Sequence, residues 1–91
     1  MMRVETKYHH LVARPEAWRK QLYLKERNLT VWHVVGRMQA NGYSPPEAAE
    51  QFDIPLEAVL EALDYYQRHK VLVDAETVEE GRRLREAGLL E

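Results

Sequence analysis

The 91-residue chain has no cysteine, one serine and one phenylalanine. Without cysteine there is no disulfide framework and no thiolate metal site. The lone serine, Ser44, opens Ser44-Pro45-Pro46-Glu47. A capping serine, proline at the first helical position and glutamate three residues on account for it as a helix start, which leaves no serine for nucleophilic catalysis. No apolar run approaches the ~20 residues that span a bilayer, and nothing at the N-terminus reads as a signal peptide, so the cytoplasm is the expected compartment. Charge of one sign is also missing overall: 13 basic and 15 acidic side chains leave a net −2. What remains, 45% hydrophobic and 31% charged residues, suits one ordinary globular domain over 1–91. Its small core makes a homodimer the expected state.

The charges are unevenly distributed. Met1 to Arg37 carries +5, Met38 to Val73 carries −4, and Asp74 to Glu91 carries −3. A basic front third is the part expected to meet a polyanion.

Local pattern predicts a mainly α fold in three parts. Tyr8–Arg14 and Lys20–Lys25 are short, partly alternating runs around Pro15, which predicts a β-hairpin or ribbon over 8–29. A helix-turn-helix core follows over 30–70. Thr30 can cap a helix over Val31–Asn41 with Val31, Val34, Val35 and Met38 on one face, and Asn41-Gly42 can end it. Ser44 starts a short helix that turns Ala48, Ala49 and Phe52 inward. After Pro55 comes a longer helix to about His69, with Leu56, Val59, Leu60, Leu63 and Tyr66 on one expected inner face. Val71–Val73 fits either a helix extension or a strand. Asp74 then reads as the cap of a peripheral C-terminal helix over 74–88, whose thin apolar stripe is Val78, Leu84 and Ala87.

Four segments carry a family resemblance: His10-Leu-Val-Ala-Arg14-Pro15, Leu24-Lys-Glu-Arg-Asn-Leu-Thr-Val31, Ser44-Pro-Pro-Glu-Ala-Ala-Glu-Gln-Phe52, and Pro55-Leu-Glu-Ala-Val-Leu-Glu-Ala-Leu-Asp-Tyr-Tyr66. Over roughly Tyr8 to Lys70 the chain resembles the bacterial domain-of-unknown-function family four-three-three. The resemblance implies a homeodomain-like helical core behind an N-terminal β-ribbon. It also implies an antitoxin of VapB-like type, encoded beside a PIN-like ribonuclease toxin. The chain departs from the family's frequent Gly-Thr-Arg before the first helix, reading Glu26-Arg27-Asn28 instead.

Catalytic and metal-binding signals are sparse. His9-His10, His33 and His69 lack the paired helical spacing of a zinc motif. No acid, base and nucleophile can be assembled, so the expectation is a protein that is not an enzyme and needs no cofactor. The longer helix places Glu57, Glu61 and Asp64 on one stripe, at about 100°, 140° and 80° from Leu56. These carboxylates stand where a major-groove reader would present arginine, lysine, asparagine or glutamine. They read as a solvated face or as a docking strip for a basic partner. If operator DNA is bound, the better candidates are Arg14, Arg19, Lys20, Lys25 and Arg27 on the ribbon, since β-ribbons enter the major groove in some dimeric repressors. The expected function is therefore an antitoxin-like module that dimerises, binds a ribonuclease partner and touches DNA. The alternatives are a stand-alone DNA-binding regulator and a homo-oligomeric adaptor.

Overall fold

The computed structural model describes residues 8–25 and 27–88. Glu26, at the departure from the family pattern, lies outside them, as do the front-third charges Arg3, Glu5 and Lys7. The described chain is mainly helical, with a small antiparallel hairpin ahead of four helices. Among the described residues no helix is long and apolar enough to cross a membrane.

The hairpin joins β1 (Leu11–Val12) to β2 (Tyr23–Leu24), with Leu11 opposite Leu24 and Val12 opposite Tyr23. It is far shorter than a ribbon over 8–29. The intervening residues form a loop, and β2 turns back at once: the Leu24 N–H donates to the Leu29 carbonyl at 2.8 Å, and Tyr23 bridges Thr30. So small a ladder cannot stand alone. Leu11, Tyr23 and Leu24 are buried against the helices instead.

α1 (Val31–Asn41) starts at Thr30, whose hydroxyl accepts from the His33 N–H while His33 Nδ1 accepts from the Thr30 N–H at 2.9 Å. It ends at Gly42, left-handed at φ 69°, a conformation that costs glycine nothing. α2 (Pro45–Phe52) has the expected reciprocal cap. The Ser44 N–H donates to Glu47 Oε1 at 2.8 Å, and the Glu47 N–H returns to Ser44 Oγ. Asp53 closes it, left-handed at φ 57°, which aspartate tolerates better than most side chains. α3 (Leu56–Arg68) follows Pro55, His69 alone separates it from α4 (Lys70–Glu86), and α1 packs on both α3 and α2.

Val31, Val34, Val35 and Met38 form the buried face of α1, as their spacing predicts. α3 matches its prediction at Val59 and Tyr66, which are buried, and at Leu63, which packs against the core, but not at Leu56 and Leu60. Its inward residues are Ala58, Val59, Ala62, Tyr65 and Tyr66, while Leu56 and Leu60 are 42% and 47% exposed. The helix has two apolar faces, and the fold buries the one with alanines, which let helices approach closely.

The C-terminal helix also differs from its prediction. It begins at Lys70, so residues 71–73 are helical and Asp74 lies inside α4. There Asp74 accepts a hydrogen bond from the Tyr66 hydroxyl at 3.0 Å. Val78 and Ala87 are exposed, so the thin apolar stripe does not seat this helix. Val73 and Glu76 are its buried residues.

Candidate interaction surfaces

α4 is held by a polar seam that faces the loop between β1 and β2. Glu76, Glu80 and Arg83 recur at the i, i+4, i+7 spacing of one helical face. The buried Glu76 carboxylate accepts from the Lys20 N–H, from the Gln21 N–H at 3.3 Å and from Gln21 Nε2 at 3.0 Å. Gln21 then passes the link onward, its Oε1 accepting from the Trp32 N–H in the first turn of α1 at 2.9 Å. Glu80 pairs with Arg19 at 3.0 Å. The Arg83 guanidinium lies 4.2 Å from the Trp18 ring centroid, with Arg19 also against that ring at 4.8 Å. Local periodicity did not expose this seam; only the spacing of Glu76, Glu80 and Arg83 hinted at it.

The five ribbon cations expected to face DNA are mostly engaged within the chain. Arg14 donates to Asn28 Oδ1 at 3.1 Å and to the Arg27 carbonyl at 2.7 Å, and it stacks on Tyr23. Burial works against a charged Arg19, but hydrogen bonds to Tyr23 and Glu80 outweigh it and raise its pKa. Lys20 Nζ donates to the Pro15 and Ala17 carbonyls at 3.0 Å each. Arg27 donates to the Phe52 carbonyl at 3.1 Å and the Asp53 carbonyl at 2.5 Å, closing the C-terminal end of α2, where carbonyls lack helical partners. Lys25 alone of the five makes no side-chain hydrogen bond or ion pair among the described residues. It lines a cleft of about 360 Å³ with Arg27, His10 and the start of α3.

The acidic stripe on α3 is occupied as well. The chain's own segment Tyr8–His10 crosses it. The Tyr8 hydroxyl donates to Asp64 Oδ2 at 2.7 Å, and the His9 and His10 N–H groups donate to Glu61 at 3.0 and 2.7 Å. His10 Nε2 lies 3.4 Å from Glu57 Oε1. Arg68 pairs with Asp64 at 3.0 Å. Tyr8 also meets Tyr65 edge-to-face at 6.0 Å. The front of the sequence thus supplies hydrogen-bond donors to the acidic stripe, and Arg19 pairs with Glu80 across the fold. Comparison with family models, curated proteins and solved structures finds no significant match.

What stays open on α3 is narrower than the predicted strip. Leu56 and Leu60 stand on solvent beside Glu57, whose side chain is 82% exposed. Glu61, Asp64 and Leu63 are half-buried. Among the described residues no three His, Asp or Glu side chains gather as metal ligands.

The Tyr8 strap has a measurable consequence. Burial, and then the hydrogen bond to the Asp64 carboxylate, push the Tyr8 hydroxyl up to about 12 from 10.0. In the unfolded chain it ionises near 10, so its contribution to stability is complete below pH 10 and is lost as pH rises toward 12. Tyr65 and Tyr66 are shifted the same way by burial. Between pH 10 and 12 the urea midpoint of the native protein should fall more steeply than that of Tyr8→Phe. Parallel curves would show that the strap does not hold in solution.

Proposed function

We propose that the chain is a non-catalytic protein-binding module of antitoxin-like type, built on a homeodomain-like helix-turn-helix, whose partner is a small PIN-like ribonuclease encoded beside it. The observation that carries this reading is the solvent face of α3. Where a DNA reader would place donors, it presents Leu56 and Leu60 beside an exposed Glu57. A leucine pair with a carboxylate at its rim suits a partner surface that is apolar at its centre and basic at its edge.

The other half of the support is electrostatic. Binding to duplex DNA weakens with salt roughly in proportion to the phosphates neutralised, with a log–log slope of about −0.9 for each. With four of the five ribbon cations engaged within the chain, operator contact becomes secondary to the protein partner.

Co-expression with the neighbouring gene product, followed by purification on a tag carried by this chain, tests the proposal. The two proteins should co-elute, and ribonuclease activity should be suppressed in the complex. Leu60→Arg places a cation on the exposed leucine pair without touching the core, and it should weaken the complex at least about tenfold. Co-elution unaffected by Leu60→Arg would move the interface off α3. A neighbour that neither binds nor cleaves RNA would end the antitoxin reading.

A further inference from the structure

Among the described residues, the two most exposed large apolar side chains lie on one face of α4: Val71 at 85% and Val78 at 73%. With Val78 as the reference at 100° per residue, Asp74, Arg85 and Val71 fall at about −40°, −20° and +20°, and Arg82 and Ala75 at about +40° and +60°. All of these residues are exposed. The inner side of the helix, through Val73, Glu76 and Glu80, is already used by the core and the loop seam. The Val71–Val78 face has no partner within the described chain.

From its charge pattern we infer that this face is the self-association surface, packing antiparallel against α4 of a second copy about a two-fold axis at Val78. In an antiparallel helix pair each flank meets the same flank of its partner, running in reverse. Asp74 and Arg85 share a flank, on opposite sides of Val78. The two-fold therefore brings Asp74 of each copy to Arg85 of the other. Their levels differ by about three residues, or ~4.5 Å along the axis, within the reach of an arginine side chain. Arg85 has no ion-pair partner among the described residues, whereas Arg82 is held by Glu79 at 2.6 Å and Glu86 at 2.5 Å. The face is thus self-complementary in charge as well as apolar at its centre, the requirement for an isologous contact. A parallel arrangement would set Asp74 near Asp74 and Arg85 near Arg85. Ala75 and Gly81, small residues beside the seam, allow close approach; a Cβ on Gly81 would meet nothing nearer than Arg85 Nη1 at 3.8 Å.

This inference uses none of the α3 residues proposed to hold a ribonuclease, so either reading can fail alone. Because the native chain has no cysteine, a single introduced thiol reports geometry cleanly. Helices packed 8–10 Å apart, with Cα atoms ~2.3 Å from each axis, leave facing α-carbons up to about 5 Å apart, inside disulfide range. Val78→Cys should oxidise to a covalent dimer in the full-length protein, while Leu60→Cys, on the α3 face, should form no covalent cross-link under the same conditions. Sedimentation equilibrium of the native chain at about 0.1 mM should give a dimer mass. Val78→Glu sets two like charges on the axis and should raise the dissociation constant by about 100-fold with an unchanged circular-dichroism spectrum. Arg85→Asp should weaken association, and mixing it with Asp74→Arg should restore a heterodimer. A native chain that is monomeric at that concentration would overturn the inference. So would cross-linking through Leu60→Cys in place of Val78→Cys.

Discussion

Replacing Glu76 by alanine is expected to lower the unfolding free energy by about 3 kcal/mol, more than any other exchange of a charged side chain in the molecule. The size follows from what the carboxylate holds. It accepts from two consecutive backbone N–H groups, Lys20 and Gln21, and from the Gln21 side-chain amide. Gln21 is itself buried and pins the first turn of α1 through the Trp32 N–H. Alanine at 76 leaves those donors without an acceptor, the Gln21 groups in a buried site and the Lys20 N–H in a part-buried one, and each orphaned buried group costs about 1–3 kcal/mol before relaxation. Partial opening of the loop rehydrates some of them, which keeps the total below the sum. Glu76→Gln keeps the shape and one acceptor oxygen, so it should lose roughly half as much. Urea titration followed by far-ultraviolet circular dichroism reads both variants. A loss for alanine below about 1 kcal/mol would mean that the Glu76 site is hydrated and that its hydrogen bonds are not what seats α4.

That prediction concerns the part of the molecule least visible in its sequence. Thr30, Gly42 and Ser44–Glu47 were legible because a cap is a local device, written within four residues of the element it closes. The valines of α1 were legible because that helix has one apolar face. α3 was legible only in part: Val59 and Tyr66 are buried as expected, but Leu56 and Leu60 repeat at helical spacing just as Ala58, Ala62 and Tyr65 do. The choice between the faces depends on how closely α3 can approach α1, a property of the pair. The start of α4 was hidden for a related reason. Lys70–Val73 is too short to show a period, and Asp74, a good capping residue, is used by Tyr66 from the preceding helix.

The ribbon cations show the same limit from the side of function. Five basic residues close together read as a DNA footprint when nothing else is known of their surroundings. Two of them find partners in distant segments: Arg19 pairs with Glu80 of α4, and Arg27 reaches 25 and 26 positions to the end of α2. The acidic stripe of α3 likewise meets Tyr8, His9 and His10 from more than fifty positions away. Opposite charges concentrated in different thirds of a short chain can mark an intramolecular fit as readily as a binding surface. The compositional signal cannot separate the two without the fold.

Two glycines in helix interiors should respond with opposite signs to one substitution. Replacing a helical glycine by alanine gains about 1 kcal/mol where the new methyl has room. Gly81 in α4 has that room, with nothing nearer than 3.8 Å, so Gly81→Ala should be stabilising in dilute protein. Gly36 in α1 does not. A Cβ there would stand 2.7 Å from Trp32 Cε2, 2.9 Å from Cζ2 and 3.0 Å from Nε1. The indole fills the notch left by the missing side chain, one turn along the same helix. It cannot slide away freely, because Tyr66 of α3 backs it at a ring separation of 5.8 Å and the Trp32 backbone N–H is anchored to Gln21. The added methyl must displace a ring wedged between two helices, an overpacking that costs typically about 1–3 kcal/mol and outweighs the gain in propensity. Gly36→Ala is therefore expected to lower the thermal midpoint by several degrees, about 4–8 °C for each kcal/mol in a domain of this size. If the melts of Gly36→Ala and Gly81→Ala rise together, the indole is not seated in that notch and the α1–α3 packing described above needs revision.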